Sequence, residues 1–256
     1  MKAKMIVTGS EGFIGTLLCE KLRELGYDVI GIDRKSGHEV KEELAGLLRM
    51  KGIECVFHLA AQTSVFNRDH AQIFHDNLDV FYHVSDLCYQ HGVKLVYASS
   101  STAEPGNSTS MYGLSKRFGE RYAKIYNPKA TGVRLHNVYG KNPRQGTLLW
   151  TLLNNERVTL YNGGQNTRCF TYIDDIVSGL IKAKDSTLPL LNCVNNEPMT
   201  IKEYSEKVQF YRPVQLDIID EVREHDNPVQ TVNPDIPTID IEYTKVDDAL
   251  KLIFNG

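Results

Sequence analysis

Short apolar runs alternate along the first half of the chain with longer stretches in which apolar positions recur at i, i+3, i+4 and i+7. The runs at residues 5–8, 29–33, 55–60, 94–99 and 131–136 have strand length and are bounded by turn-forming residues. The stretches at 13–25, 39–50, 72–91 and 112–126 have the spacing of helices with one buried face. Strand and helix in regular succession imply right-handed crossovers, so the pattern predicts an α/β fold with a doubly wound parallel sheet. Beyond Gly140 the periodicity loosens, with breaks at Asn142-Pro143 and Gly163-Gly164, and a small, less regular C-terminal region is expected.

The first strand-to-helix turn reads Thr8-Gly9-Ser10-Glu11-Gly12-Phe13-Ile14-Gly15. Gly9 suits the tight turn, Gly12 lets backbone N–H groups approach a phosphate, and Gly15 lets the helix pack close to the strand. The second strand ends in Asp33, whose carboxylate suits the two hydroxyls of an adenosine ribose. Together they indicate a Rossmann-type dinucleotide site, against the plainer reading of an ordinary glycine turn. A 2′-phosphate would meet Asp33 and Glu11, which favours NAD over NADP, whereas the adjacent Arg34 pulls the other way.

Composition narrows the class. A chain of 256 residues that is 41% hydrophobic can bury a full core. The net charge of −3, with basic residues dispersed, gives no nucleic-acid or membrane footprint. No stretch approaches the roughly 20 apolar residues of a membrane span, and no signal-like segment opens the chain. Cys19, Cys55, Cys88, Cys169 and Cys193 lack metal-ligand spacing, so no metal site is expected, and free thiols in a reducing cytoplasm are.

Four further blocks stand downstream: His58-Leu59-Ala60-Ala61, Ser99-Ser100-Ser101, Tyr112-Gly113-Leu114-Ser115-Lys116, and Arg168-Cys169-Phe170-Thr171-Tyr172-Ile173-Asp174-Asp175. In this order they resemble the extended short-chain dehydrogenase/reductases, in the nucleotide-sugar epimerase/dehydratase branch. Tyr112 and Lys116, at i and i+4, share a helix face, so the ammonium can approach both the phenol and a nicotinamide ribose. Its charge, with that of an oxidised nicotinamide, would favour phenolate and make Tyr112 a general base. The resemblance makes Ser101 the residue that holds the sugar hydroxyl. It assigns NAD as cofactor and a nucleotide sugar as substrate. Gly9, Gly12, Phe13, Ile14, Gly15, Asp33, Arg34, Leu59, Ala60, Ala61, Asn77, Tyr112 and Lys116 would then line the cofactor, and Ser101, Asn137 and Arg168 would contact the substrate. It places Val158-Thr159-Leu160-Tyr161 at the nucleobase. It divides the chain into a cofactor domain, 1–140 plus roughly 171–195, and a substrate region, 141–170 and 196–256. It also implies a homodimer through the helices at 72–91 and 112–126, with Val80, Phe81, Val84, Leu87, Phe118 and Tyr122 available for the contact.

Departures from the family pattern sharpen the reading. From Asp33 to His58 there is room for one turn and one helix, where a further strand with an adenine-binding acid is usual; Glu39 is the available substitute, against its plainer reading as a solvated carboxylate at a helix start. His58 reads as a packed histidine at a strand end rather than an acid or base. The arginine that normally precedes Asp235-Ile236-Pro237 is absent, with Val232 nearby, leaving Arg212 or Arg223 as substitutes. The related 4,6-dehydratases carry an Asp-Glu pair after the catalytic serine, and this chain has Thr102-Ala103. The expected activity is therefore C4 epimerisation through a 4-keto sugar. A net reductase or dehydrogenase of such sugars, or a cofactor-binding regulator without turnover, are the alternatives.

Overall fold

The computed structural model describes residues 2–107, 110–224 and 226–255, and its first half realises the strand–helix alternation. In chain order come β1 (Lys4–Thr8), α1 (Phe13–Glu24), β2 (Asp28–Ile32), α2 (Val40–Leu47), β3 (Ile53–His58), α3 (His70–Phe74), α4 (Val80–Gln90), β4 (Lys94–Ser100), α5 (Met111–Tyr126) and β5 (Ala130–Leu135). The second half adds β6 (Val138–Tyr139), α6 (Leu148–Asn154), β7 (Arg157–Leu160), β8 (Thr167–Cys169), β9 (Thr171–Tyr172), α7 (Ile173–Ala183), β10 (Leu190–Cys193), β11 (Pro198–Thr200), α8 (Ile201–Gln209), β12 (Gln215–Ile218) and α9 (Val246–Asn255).

Six parallel strands form one sheet in the order β10-β5-β4-β3-β1-β2. Alternation along each strand feeds two layers, because successive side chains point to opposite faces. Met5, Val7, Cys55 and Phe57 pack with Leu18 and Leu22 of α1 and Ile176 and Leu180 of α7. Ile6 and Val56 turn the other way, to Leu44 of α2 and Val80, Phe81 and Val84 of α4. Each such side chain, fully buried, contributes about 1.5–3 kcal/mol. The helices following β1 and β3 thus cover opposite faces, and a crevice opens at the carboxyl ends of these neighbouring strands.

The sheet ends at β2. The interval after it holds a short turn, Arg34–Ser36, and α2, as its length predicts. The helical stretch expected at 72–91 is instead interrupted: a π turn at His75–Asp79 joins α3 to α4, an insertion that periodicity does not reveal.

The helix contact expected of Val80, Phe81 and Val84 is corrected, since these side chains are 5%, 5% and 0% exposed beneath α4 and cover the sheet. The outer surface of α4 and α5 carries Tyr82, Phe118, Tyr122 and Tyr126 instead. Ring centroids are 5.4 Å apart for Tyr82–Tyr122 and 4.8 Å for Tyr122–Tyr126.

A third cluster gathers Tyr139, Leu152, Leu160, Phe170, Tyr204 and Leu250 into the small region. The segment after β12 does not stay there throughout. Asn192 of β10 donates its N–H to Pro237 O and accepts from Ile239 N, both at 2.8 Å, and Ile239 packs in the first layer. Part of residues 196–256 therefore belongs with the sheet.

Candidate active site

The carboxyl ends of the central strands face a cleft of about 850 Å³, bordered on its far side by the small region. Gly9 adopts φ +71°, and a Cβ there would stand 2.8 Å from the Ala60 backbone nitrogen. A Cβ on Gly15 would lie 2.0 Å from the Gly9 carbonyl oxygen. Neither approach leaves room for a side chain. Gly12 caps α1 in extended conformation, no side chain caps the first-turn N–H groups, and that turn carries no acidic residue. The helix end keeps its donors and positive dipole for an anion, so the cradle fits a dinucleotide pyrophosphate. Phe13, Ile14, Leu59, Ala60 and Ala61 line the same end of the cleft.

Asp33 is aimed by two backbone donors, Glu11 N to Oδ2 at 2.9 Å and Lys35 N to Oδ1 at 3.0 Å. Each oxygen retains acceptor capacity for a ribose hydroxyl. Arg34 turns to Asp76 and Glu39. Asn77 is 5% exposed and bonds away from the large cleft: its Nδ2 donates to Gln62 O at 2.9 Å and Ser115 Oγ at 3.0 Å, and its Oδ1 accepts from Gln62 N at 2.7 Å. It ties the segment after β3 to α5. His58 pairs through Nδ1 with Thr8 Oγ1 at 2.7 Å. Burial, and then the Lys116 charge, push its pKa down to about 3, so the ring is neutral and packed.

The serine strand end is fixed from below. The Ser99 hydroxyl bonds to Glu120 Oε1 at 2.5 Å, and Glu120 in turn accepts from Arg134 at 2.8 and 2.7 Å. Arg134 reaches Glu104 with its other nitrogen. Ser100 caps the turn Ser101–Ala103, accepting from Thr102 N at 3.2 Å, and its hydroxyl also bonds the Tyr112 phenol. The Ser101 hydroxyl donates to Gln230 Oε1 at 3.3 Å.

Tyr112 opens α5, which Ser110 caps through Gly113 N at 3.1 Å. Burial raises the phenol pKa, outweighing the Ser100 hydrogen bond and the Arg144 charge that lower it. The lowered phenol expected from the motif is therefore not a property of this protein environment by itself. Lys116 Nζ lies 5.9 Å from the Tyr112 ring centre and donates to Ala98 O at 2.9 Å. Burial draws its pKa down to about 8 against the opposing pull of Glu120.

Elsewhere along the cleft, Asn137 takes the uncommon φ of +33° and donates to Gln230 Oε1 at 3.0 Å. Arg168 is 5% exposed, not a solvated surface residue, and is paired with Asp226. Tyr161 faces the cleft directly after β7. Of the two substitute arginines, Arg212 donates to Leu152 O and Asn155 O, both at 3.1 Å, at the end of α6. Arg223 lines the cleft, its guanidinium 4.2 Å from the Phe66 ring centre and 4.9 Å from that of Tyr161. Sequence reasoning missed Ser100, Arg144, Asp226 and Gln230. The last two lie on a segment without periodicity, which Thr167 holds through the carbonyl of Pro228 at 2.7 Å.

The model of a family described as "NAD dependent epimerase/dehydratase family" matches residues 5–188. The uncharacterised UDP-glucose epimerase YtcB of Bacillus subtilis is 30% identical over 228 residues, covering 69% of this chain and 71% of its own. A UDP-glucose 4-epimerase from Thermus thermophilus, solved with NAD, superposes with a TM-score of 0.82 at 22% identity over 98% of both chains. A UDP-glucuronic acid 4-epimerase from Bacillus cereus, solved with UDP-glucuronic acid and NAD, matches with the same TM-score, identity and coverage.

Proposed function

From its membership of the NAD dependent epimerase/dehydratase family, to which this chain belongs, we propose that it inverts C4 of a nucleotide sugar with tightly held NAD. The observation that carries the reading is the convergence of Ser100, Ser101, Tyr112 and Lys116 with the glycine cradle on one cleft. Tyr112 takes the C4 hydroxyl proton, and Ser101 holds the oxygen as the ketone forms. Lys116, together with Arg144, supplies positive charge that favours the phenolate. NAD, held by the glycine cradle and Asp33, would supply a hydride acceptor and donor for C4. Arg223, in place of the missing arginine, suits the substrate diphosphate, since a guanidinium binds phosphate through two parallel bonds, and Arg168 would join it on release from Asp226. Asn137 would contribute a neutral donor beside them.

Epimerisation, rather than dehydration, is favoured by the two residues after Ser101. The Thr102 hydroxyl donates to Ser100 Oγ at 2.9 Å and Ala103 is fully buried. Neither can protonate a leaving hydroxyl or take the C5 proton. Inversion would then require only that the keto sugar present its other face within the cleft. Incubation with UDP-glucose, UDP-galactose and UDP-glucuronate, followed by NMR, should give a C4 epimer of at least one, with no lasting rise in reduced-nicotinamide absorbance. A 4-keto-6-deoxy product, or strict dependence on added NADH, would overturn the reading.

A homodimer is part of the same proposal. Tyr82, Phe118 and Tyr126, 49%, 49% and 59% exposed, support an isologous contact of α4 and α5 with a second copy. The Tyr82→Arg/Phe118→Arg variant is expected to sediment as a monomer where the parent sediments as a dimer; an unchanged mass would exclude this face. No helix among the described residues is long and apolar enough to cross a membrane. The five buried free thiols support a reducing, cytoplasmic setting.

A further inference from the structure

Asp33 and Arg34 stand side by side at the ribose end of the cleft and argue for opposite cofactors. The carboxylate suits a 2′-hydroxyl, and a guanidinium beside it suits a 2′-phosphate. The structure resolves the contest through two other carboxylates. Arg34 Nη2 donates to Asp76 Oδ1 at 2.7 Å and Nη1 to Asp76 Oδ2 at 3.2 Å, the fork-to-fork geometry in which guanidinium and carboxylate bind most strongly. The third nitrogen, Nε, donates to Glu39 Oε1 at 3.0 Å and Oε2 at 3.3 Å. All three nitrogens are engaged.

The clamp is built from places that the sequence pattern does not connect. Glu39 leads into α2, the helix that replaces the usual further strand. Asp76 lies in the π turn between α3 and α4, with its side chain only 10% exposed. Although burial alone would raise the Asp76 pKa, the Arg34 guanidinium and then His75 hold it below the ordinary carboxylate value, so it is charged at neutral pH. Arg34, Glu39 and Asp76 all line the same cleft as Asp33.

We propose that Asp76 is a cofactor-specificity residue: it holds Arg34, with Glu39 assisting, so that the guanidinium is withdrawn from any 2′-phosphate. The role rests on the cleft being the dinucleotide site. Under it, Asp33 rejects the 2′-phosphate by repulsion and Asp76 rejects it by occupying the neighbouring guanidinium. The two effects are therefore coupled. Removing Asp33 alone leaves Arg34 clamped, and releasing Arg34 alone leaves Asp33 facing the phosphate.

Calorimetric titration of NAD and NADP into the full-length protein separates these effects without requiring turnover. Asp33→Ser alone should raise NADP affinity by no more than a few fold. Asp76→Asn alone should leave NAD affinity within about threefold of the parent and NADP still weak. The double variant should bind NADP tighter than the product of the single effects by roughly tenfold, within the usual range of coupling between residues linked through one ion-pair network. Adding Arg34→Ala to the double variant should erase the gain. Should Asp76→Asn fold poorly, Glu39→Gln, which loosens the Nε side of the same clamp, should show a smaller gain of the same sign with Asp33→Ser. Additive single effects, or an inverted preference from Asp33→Ser alone, would overturn the role of Asp76 while leaving the dinucleotide site intact. A parent protein that binds neither cofactor would overturn the site itself and the proposal with it.

Discussion

Replacing Tyr112 by Phe is expected to lower the rate of sugar epimerisation at least a hundredfold while leaving the fold and NAD binding intact. General acid–base groups contribute about 10²–10⁴ to a rate, and the phenol is the only titratable group that the motif places for proton exchange with the sugar. The substitution keeps the ring, so no cavity opens at a residue that is 9% exposed. The affected quantity is kcat rather than affinity for the nucleotide sugar, and a variant within tenfold of the parent in kcat would remove Tyr112 from the mechanism. The pH profile carries the second half of the test. Burial opposes ionisation of the phenol, so the phenolate depends on neighbouring positive charge. Arg144 supplies part of it, and Lys116 adds to it only as ammonium, the form that prevails below about pH 8 and is lost as the pH rises through that value. The rate should fall on the alkaline side near this point. Lys116→Met should abolish that limb, and its persistence in the variant would assign it to another group.

The parts of this molecule that were legible in sequence are those in which one short segment specifies its own geometry. Gly9 and Gly15 are legible because only glycine tolerates the approaches of 2.8 and 2.0 Å that the turn imposes. Tyr112 and Lys116 are legible because a helix places i and i+4 on one face. The alternation of β1, with Met5 and Val7 to one layer and Ile6 to the other, is readable for the same reason. What escaped depends on segments distant in sequence. Gln230 meets Ser101 and Asn137 across 129 and 93 residues, and no local pattern announces such a meeting. The π turn at His75–Asp79 escaped because one extra residue leaves the apolar spacing on both sides intact. The orientation of α4 was open because large aromatic side chains, Tyr82 and Tyr89, also stand on its outer face, and the choice between sheet and second copy is made by packing.

Replacing Arg134 by Met should cost about 3–5 kcal/mol, the range for removing one partner from a buried ion pair, against a typical total stability of about 5–15 kcal/mol. The guanidinium side chain is 7% exposed and holds two carboxylates at once, Glu120, 8% exposed, and Glu104, 19% exposed. Methionine fills much of the same volume, so the loss comes from leaving those charges enclosed without a partner. The position explains the reach of the effect. Glu120 receives Ser99 of β4, while Glu104 receives Asn233 Nδ2 at 3.1 Å from the C-terminal segment. One cation therefore fastens the serine strand end, α5 and the segment that carries Gln230. Denaturant titration should show the lowered midpoint, and cofactor and nucleotide-sugar affinity should fall with it. Combining Arg134→Met with Glu104→Gln and Glu120→Gln removes the uncompensated charges and should restore most of the loss. A single variant within about 1 kcal/mol of the parent, below the range for a broken buried pair, would mean that water already reaches these groups. A triple variant no better than the single would mean that the loss lies in shape rather than charge.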